Sequence, residues 1–276
     1  MADVTIIIVS FNSKNELDAC LASLASAPPA ARHDIVVVDN ASSDGTPAVL
    51  RQRWPGVRLI EAGQNLGFAG ANNLGIAAAS SEFVLLLNSD TVVPAGAIDT
   101  LIGALASDPE AAAAGPRLVD ASGRVELSFG AMISPFAELR QKIILRLYER
   151  RLPAAVSYVD RRTSVRHHPD WVSGACLLVR RADAVAAGLL DDRYFLYAED
   201  VDFCAALRAN GRRILFTPET QVVHLKGASG RRRPAETQRA YRRSQLAFYA
   251  KHHPRWAPVL RAYLWIRGRL PPPVPR

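Results

Sequence analysis

Residues 35–45 read Ile35-Val36-Val37-Val38-Asp39-Asn40-Ala41-Ser42-Ser43-Asp44-Gly45. A short β-branched apolar run stops at a carboxylate, passes through small polar residues and enters a helical stretch near 45–53. So short and continuous an apolar run fits a strand buried on both faces, and helices between such strands fit the crossovers of a parallel sheet. The same alternation extends outward. Val4–Val9, Val57–Ile60 and Phe83–Leu87 read as strands, with helices near 14–26 and 70–79. Pro94 opens a further helix to about Ser107, in a first-turn position where its missing N–H costs nothing. The expected class is α/β, with a Rossmann-like, mostly parallel central sheet flanked by helices.

Beyond residue 107 the pattern is less regular. Trp171–Val179 reads as one strand returning to the core, followed by helices near 181–187 and 199–209 and strands near 213–216 and 221–224. Residues 131–168 are rich in Arg and poor in acids. Apolar residues at 136, 139, 143, 144 and 147 recur there at helical spacing among Arg140, Lys142 and Arg146, which describes a basic amphipathic helix. After Gly230 the composition turns basic again, with Arg231, Arg232 and Arg233, a helical stretch near 236–251 and the run Leu260–Leu270. The expected organisation is a main domain over 1–230 carrying the 131–168 insertion, then a basic helical extension over 231–276.

A chain of 276 residues, 49% hydrophobic, can bury one large core. Lys and Arg number 34 against 26 Asp and Glu, a formal charge of +8. This balance favours anionic partners: nucleotide phosphates, lipid diphosphates, an anionic membrane surface or nucleic acid. Cys20, Cys176 and Cys204 are widely spaced with no C-x-x-C pair, which fits reduced thiols and a cytoplasmic setting. Met1-Ala2-Asp3 runs straight into a strand without the charged start of a secretory signal. No run approaches the roughly 18–20 apolar residues of a membrane span, so membrane contact is expected to be peripheral.

In open α/β sheets, ligands bind at the carboxyl ends of strands, where loops and helix N-termini converge. The unusual polar residues collect at those ends: Ser10-Phe11-Asn12, Asp39 to Gly45, Asn65 to Asn73, and Asn88-Ser89-Asp90. Each has a plainer reading. Asp44-Gly45 suits a turn, Asp39 a helix cap, and Asn65–Asn73 a Gly-rich helix entry. Glu199-Asp200 suits a helix dipole, His224 a core or surface position, and Trp171 simple packing. The loop after the first strand lacks G-x-G-x-x-G, and no G-x-x-x-x-G-K-[ST] occurs, so neither a dinucleotide fingerprint nor a phosphate loop is present.

Six motifs in order, Val9-Ser10-Phe11-Asn12, Val38 to Gly45, Asn65-Leu66-Gly67-Phe68-Ala69, Leu87-Asn88-Ser89-Asp90, Trp171 to Ala175 and Tyr197 to Asp202, resemble family 2 glycosyltransferases. The similarity is greatest to the bacterial rhamnosyltransferase branch and runs from about residue 4 to 252. It implies the A-type nucleotide-diphosphosugar transferase fold and inverting transfer of a sugar. Ser10, Asn12 and Asp39 would line the base and ribose pocket, with Asn65, Gly67 and Asn72 beside the nucleotide. Asp90, with His224, would hold a divalent cation, Mg²⁺ or Mn²⁺. Asn88 stands where the family's D-x-D-like element begins, which leaves one carboxylate there and implies water-rich coordination. Asp200 would be the base, Glu199 would orient the acceptor or Asp200, and Lys226 would add positive charge near the diphosphate. Trp171, Ser173 and Gly174 would wall the acceptor side.

The resemblance implies a nucleotide diphosphate sugar donor, dTDP-rhamnose ahead of a UDP-sugar, and a glycan or lipid-linked glycan acceptor in cell-surface polysaccharide assembly. It implies no nucleic acid partner. The basic helices suggest a peripheral seat on the inner face of the plasma membrane. Two rivals remain at this stage. A sugar-phosphate nucleotidyltransferase would carry a Gly- and basic-rich loop after the first strand, where Ser10-Phe11-Asn12 stands; a non-enzymatic glycan- or nucleic-acid-binding protein leaves Asp90, Asp200 and His224 without a task.

Overall fold

The computed structural model describes residues 3–225 and 234–272; Lys226 and the Arg231-Arg232-Arg233 tract fall outside them. The β-branched runs form the first sheet half. Strands β1 (Val4–Ser10), β2 (His33–Asp39), β3 (Arg58–Glu61) and β4 (Phe83–Asn88) lie in the order β3-β2-β1-β4, all parallel. Helices α1 (Lys14–Ser26), α2 (Thr46–Arg53) and α3 (Gly67–Ala78) make the crossovers. Register sets Ser10 opposite Asp39, Asp39 opposite Glu61, and Val9 opposite Asn88, so the polar strand ends share one edge. Ile6, Ile7 and Ile8 are fully buried, alternating between two core clusters on opposite faces. Each such side chain contributes about 1.5–3 kcal/mol of burial.

The second half is mixed. It comprises β5 (Thr91–Val92), α4 (Ala97–Ala106), β6 (Ala111–Val119), β7 (Val125–Glu126) and β8 (Phe129–Gly130), then α5 (Pro135–Glu149) and α6 (Pro153–Arg162). After these come β9 (Trp171–Val172), β10 (Cys176–Arg180), α7 (Arg181–Ala186), α8 (Glu199–Ala209), β11 (Arg213–His224), α9 (Pro234–His252) and α10 (Ala257–Ile266). The sheet continues β4-β10-β6-β11-β5, with β10 antiparallel to both neighbours and β7 on β6.

Several boundaries differ from the sequence expectation. Trp171–Val179 is two strands, because Ser173-Gly174-Ala175 breaks away: the Gly174 N–H donates to Asp200 and β9 pairs with β8 off the main sheet. The two strands expected over 213–224 are one, bulged between Thr217 and Gln221 and paired to β6 on both sides of the bulge. Helix α4 starts at Ala97 after left-handed Gly96, a turn later than Pro94. Strand β6 went unread because its Ala111–Ala114 run carries helix propensity; burial between β10 and β11 overrides it.

Helices α5 and α6 pack through Tyr148, Ala155 and Val159 onto Val119 of β6 and Val125 of β7, in a third, smaller core cluster. Helix α9 lies against the central core, with Phe248 and Tyr249 buried.

Candidate active site

The loops after β1, β2 and β3 are laced together. Asp44 accepts from the Lys14 N–H at 3.0 Å and from the backbone and hydroxyl of Thr46, so one carboxylate ties the starts of α1 and α2. Asn12, in the left-handed region at φ 51°, donates its N–H to Ser42 Oγ and accepts from the Ser43 N–H at 2.8 Å. Asn40 is buried, donates to Asn65 and to the Gly67 carbonyl, and accepts from the Leu66 N–H at 2.8 Å. Asn65 also accepts from the Gly67 N–H. Gly67 sits at φ 74°, and a Cβ there would overlap the Phe195 carbonyl, which accepts from the Phe68 N–H at 2.9 Å. The close approach that this glycine permits is to the chain itself. Ser10 Oγ lies 2.9 Å from Ser13 Oγ, which lies 3.0 Å from Ser89 Oγ.

Two residues of this region keep an open acceptor. Asp39, 2% exposed, accepts from the Ser42 N–H through Oδ2, while Oδ1 has no partner. Asn72 donates to the Phe68 carbonyl and leaves Oδ1 without one. Buried acceptors without a protein partner are rare, and here both face a set of loops that otherwise satisfy themselves.

Across the β4 end lies the second group. His224, at the end of β11, places Nε2 3.4 Å from Asp90 Oδ1 and 3.4 Å from Asn88 Nδ2, and Nδ1 3.4 Å from Glu126 Oε2. Burial alone would lower the imidazole pKa; hydrogen bonds and charges from Asp90 and Glu126 outweigh it and raise it to about 9. Glu126 escaped the sequence reading: it stands on a two-residue strand 98 residues from His224 and belongs to no motif. Among the described residues no three His, Cys, Asp or Glu converge as a ready metal-binding group. Asp90 and His224 instead offer one oxygen and one nitrogen, a set that suits a cation completed by diphosphate oxygens and water.

Glu199 and Asp200 open α8 directly after Tyr197 and Ala198, both left-handed at φ 70° and 69°. Two consecutive non-glycine residues in that region store strain, which surrounding structure must hold. The Phe195 carbonyl is held by α3, the Leu196 carbonyl accepts from Ser244 on α9 at 2.7 Å, and the Tyr197 ring meets Tyr241 edge-on at 5.8 Å. Asp200 accepts from the Gly174 and Val201 N–H groups, at 2.9 and 2.8 Å. A Cβ on Gly174 would come within 3.2 Å of Asp200 Cβ, so glycine lets the two close. Burial raises the Asp200 pKa against those hydrogen bonds, and raises that of Glu199 well above normal, with the neighbouring Asp200 charge adding to it. The same burial leaves Glu199 Oε2 without a partner.

Asp202, third acid of the motif, faces away from these. Buried, it accepts from Tyr194, from Lys251 at 2.8 Å and from His252 at 2.6 Å, and so fastens α9 to α8. Trp171 is buried against Gly130, with its indole N–H on the Ala131 carbonyl at 2.9 Å. The Ser173 N–H donates to the Ser128 carbonyl, and its Oγ accepts from Ala175. Cys20, Cys176 and Cys204 are buried free thiols whose pKa values burial raises, Cys20 to about 11, which leaves them unreactive.

A parallel half with an open acceptor at β2 is joined at β4 to a mixed half with paired acids on a strained turn, the mixed α/β architecture of solved A-type glycosyltransferases. The model of "Glycosyl transferase family 2" matches residues 5–158. The chain belongs to glycosyl transferase family 2. It is 33% identical, over 98% of its length and 95% of the relative's, to the N-acetylglucosaminyl-diphospho-decaprenol L-rhamnosyltransferase of Mycobacterium tuberculosis. It is 26% identical to the rhamnosyltransferase WbbL of Escherichia coli, over 80% of this chain and 83% of that one. Among solved structures, the mannosyltransferase PcManGT from Pyrobaculum calidifontis, in complex with GDP-Man and Mn²⁺, shares the fold with TM-score 0.62 at 20% identity, over 96% of this chain and 70% of that one.

Proposed function

We propose that this glycosyltransferase moves L-rhamnose from dTDP-rhamnose, with inversion, onto a hydroxyl of a lipid-linked glycan in cell-surface polysaccharide assembly, seated peripherally on the inner face of the plasma membrane. A UDP-sugar is the second donor in line. The names of the Mycobacterium and Escherichia relatives support the sugar, and the diphospho-decaprenol in the first name supports the acceptor class. The observation that carries the chemistry is the Glu199–Asp200 pair, with Glu199 buried and Asp200 held by the Gly174 and Val201 N–H groups, in a site where the Glu199 and Asp90 charges both reach Tyr197.

In this reading Asp39 accepts the ring N–H of a pyrimidine base through its open oxygen, with Ser10, Asn12, Asn65, Gly67 and Asn72 shaping the nucleotide cleft. Asp90 and His224 would hold Mg²⁺ or Mn²⁺, with Glu126 on Nδ1 aiming His224 Nε2 toward Asp90. When bound, such a cation withdraws electron density from the leaving diphosphate. Asp200 takes the proton from the acceptor hydroxyl. The freed oxygen attacks the anomeric carbon from the face opposite the diphosphate, and the carbon–oxygen bond to the diphosphate breaks. Glu199, whose pKa burial and the Asp200 charge raise, orients the acceptor or Asp200. Trp171, Ser173 and Gly174 hold the acceptor-side wall on which Asp200 rests.

Thermal denaturation with dTDP, UDP and GDP, each with and without Mg²⁺ or Mn²⁺, tests the reading. dTDP plus cation is expected to stabilise most, by about 2.7 kcal/mol at 100 times its dissociation constant. Diphosphate release from a nucleoside triphosphate and a sugar phosphate would instead establish the nucleotidyltransferase reading.

A further inference from the structure

Helices α5 and α10 leave large apolar side chains uncovered. Phe136 is 74% exposed, Trp265 71% and Ile266 74%, with Leu139, Ile143 and Val259 also exposed. Burying such groups is the strongest general force available to a protein surface, and single exposed residues are ordinary where a contiguous set is not. Here the two helices meet at an aromatic pair. Phe136 on α5 meets Trp256, just before α10, edge-on with ring centroids 6.1 Å apart. The helices are also fixed to one frame: Glu138 on α5 accepts from Gln245 and Tyr249 on α9, and the Ile133 carbonyl bonds His253 in the turn before α10 at 2.6 Å. The apolar face is therefore one seam made by two segments far apart in sequence.

Its charge is mainly positive, with Glu149 at the end of α5 the exposed acid. Residues 253–272 contain Arg255, Arg261, Arg267 and Arg269 and no acid at all. On α5 the exposed Arg140, Lys142 and Arg146 flank the apolar positions, and Glu138 points inward to α9. No described helix is long and apolar enough to cross a bilayer. Apolar aromatics bordered by arginine suit a surface where acyl chains lie beneath anionic headgroups.

The seam adjoins the catalytic cleft. Trp171 donates to the Ala131 carbonyl, and Phe136 lies five residues further on, at most roughly 17 Å of chain. Helix α9 spans the same gap on its other side, touching the Tyr197 turn through Tyr241 and Ser244.

We propose that the α5–α10 seam seats the enzyme on an anionic bilayer, with the acceptor wall facing the lipid so that a lipid-anchored glycan enters beside Trp171. The orientation rests on the lipid-linked acceptor of the function proposed above; the membrane seat does not. Flotation of the full chain with phosphatidylcholine vesicles, with and without phosphatidylglycerol, at low salt tests it. The wild type is expected to float with the anionic vesicles, and Trp265→Ser/Ile266→Ser to lose binding by roughly tenfold or more. Both side chains are exposed, so the fold is kept, and the double variant should transfer sugar to a water-soluble acceptor analogue at the wild-type rate. Absence of the wild type from anionic vesicles overturns the proposal, as does equal flotation of the variant. A wild-type dimer that the variant converts to monomer in sedimentation also overturns it, by assigning the seam to a second copy. Flotation with no transfer to any acceptor leaves the seat standing and removes the functional reading instead.

Discussion

The loops after β1 to β3 and the acids around α8 hold similar residues in opposite conditions. In the loops, Asp44, Asn40 and Asn65 direct their oxygens to backbone N–H groups of the same loops, which fixes their shape. Around α8, burial raises the pKa of two adjacent acids, one oxygen has no partner, and the turn before them is strained. Satisfied polar groups build the frame; those left short of partners are where a ligand or a proton has something to gain. Asp39 is the one carboxylate of the loop region in the second condition.

The sharpest way to break this contrast is Asp200→Asn. Turnover should fall about 100-fold or more while donor binding by calorimetry stays unchanged, because only the proton acceptor is lost. Near-normal turnover would move the base elsewhere. Asp202 is then a poor substitute, since its oxygens are taken by α9 and Tyr194.

A paired substitution tests the loop side. Asp39→Ala should raise the donor dissociation constant about tenfold through loss of a charged acceptor, with little change in melting temperature. Asn40→Ala next door should do the reverse, costing about 1–3 kcal/mol of stability in urea melts by leaving the Leu66 N–H and Gly67 carbonyl unpartnered. Equal behaviour of the two variants would erase the distinction between frame and ligand acceptor.

The remaining effect is in pH. His224, raised to about 9, is protonated at neutral pH and must lose that proton for its nitrogen to ligate a cation. Cation-dependent donor affinity should therefore climb as pH rises from about 6.5, by no more than about tenfold per unit, and level off near 9. Calorimetry across that range checks it, and a flat profile removes His224 from the cation site.

The strand ends, and hence the place of the cleft, were legible because β-branched runs and polar stops are local signals. Asp90, Asp200 and His224 were singled out by the family resemblance and by no local signal, and the structure sets Asp90 beside His224. What sequence could not supply is pairing at a distance. Glu126 lies 98 residues from His224, and Asp202 lies 49 and 50 residues from Lys251 and His252; neither pairing leaves a local mark. The Ala run of β6 misled in the opposite direction, since its state is set by two neighbouring strands.

The sheet order also carries a consequence for synthesis. Strand β4 is central and buried, yet its outer neighbour β10 begins at Cys176, 88 residues after Asn88. At ribosomal rates of about 5–20 residues per second, the nascent chain presents an unpaired apolar strand edge for roughly 4–18 s. That edge is a template for pairing with other chains. Chaperone occupancy during translation should accordingly concentrate on nascent chains that contain β4 and lack β10.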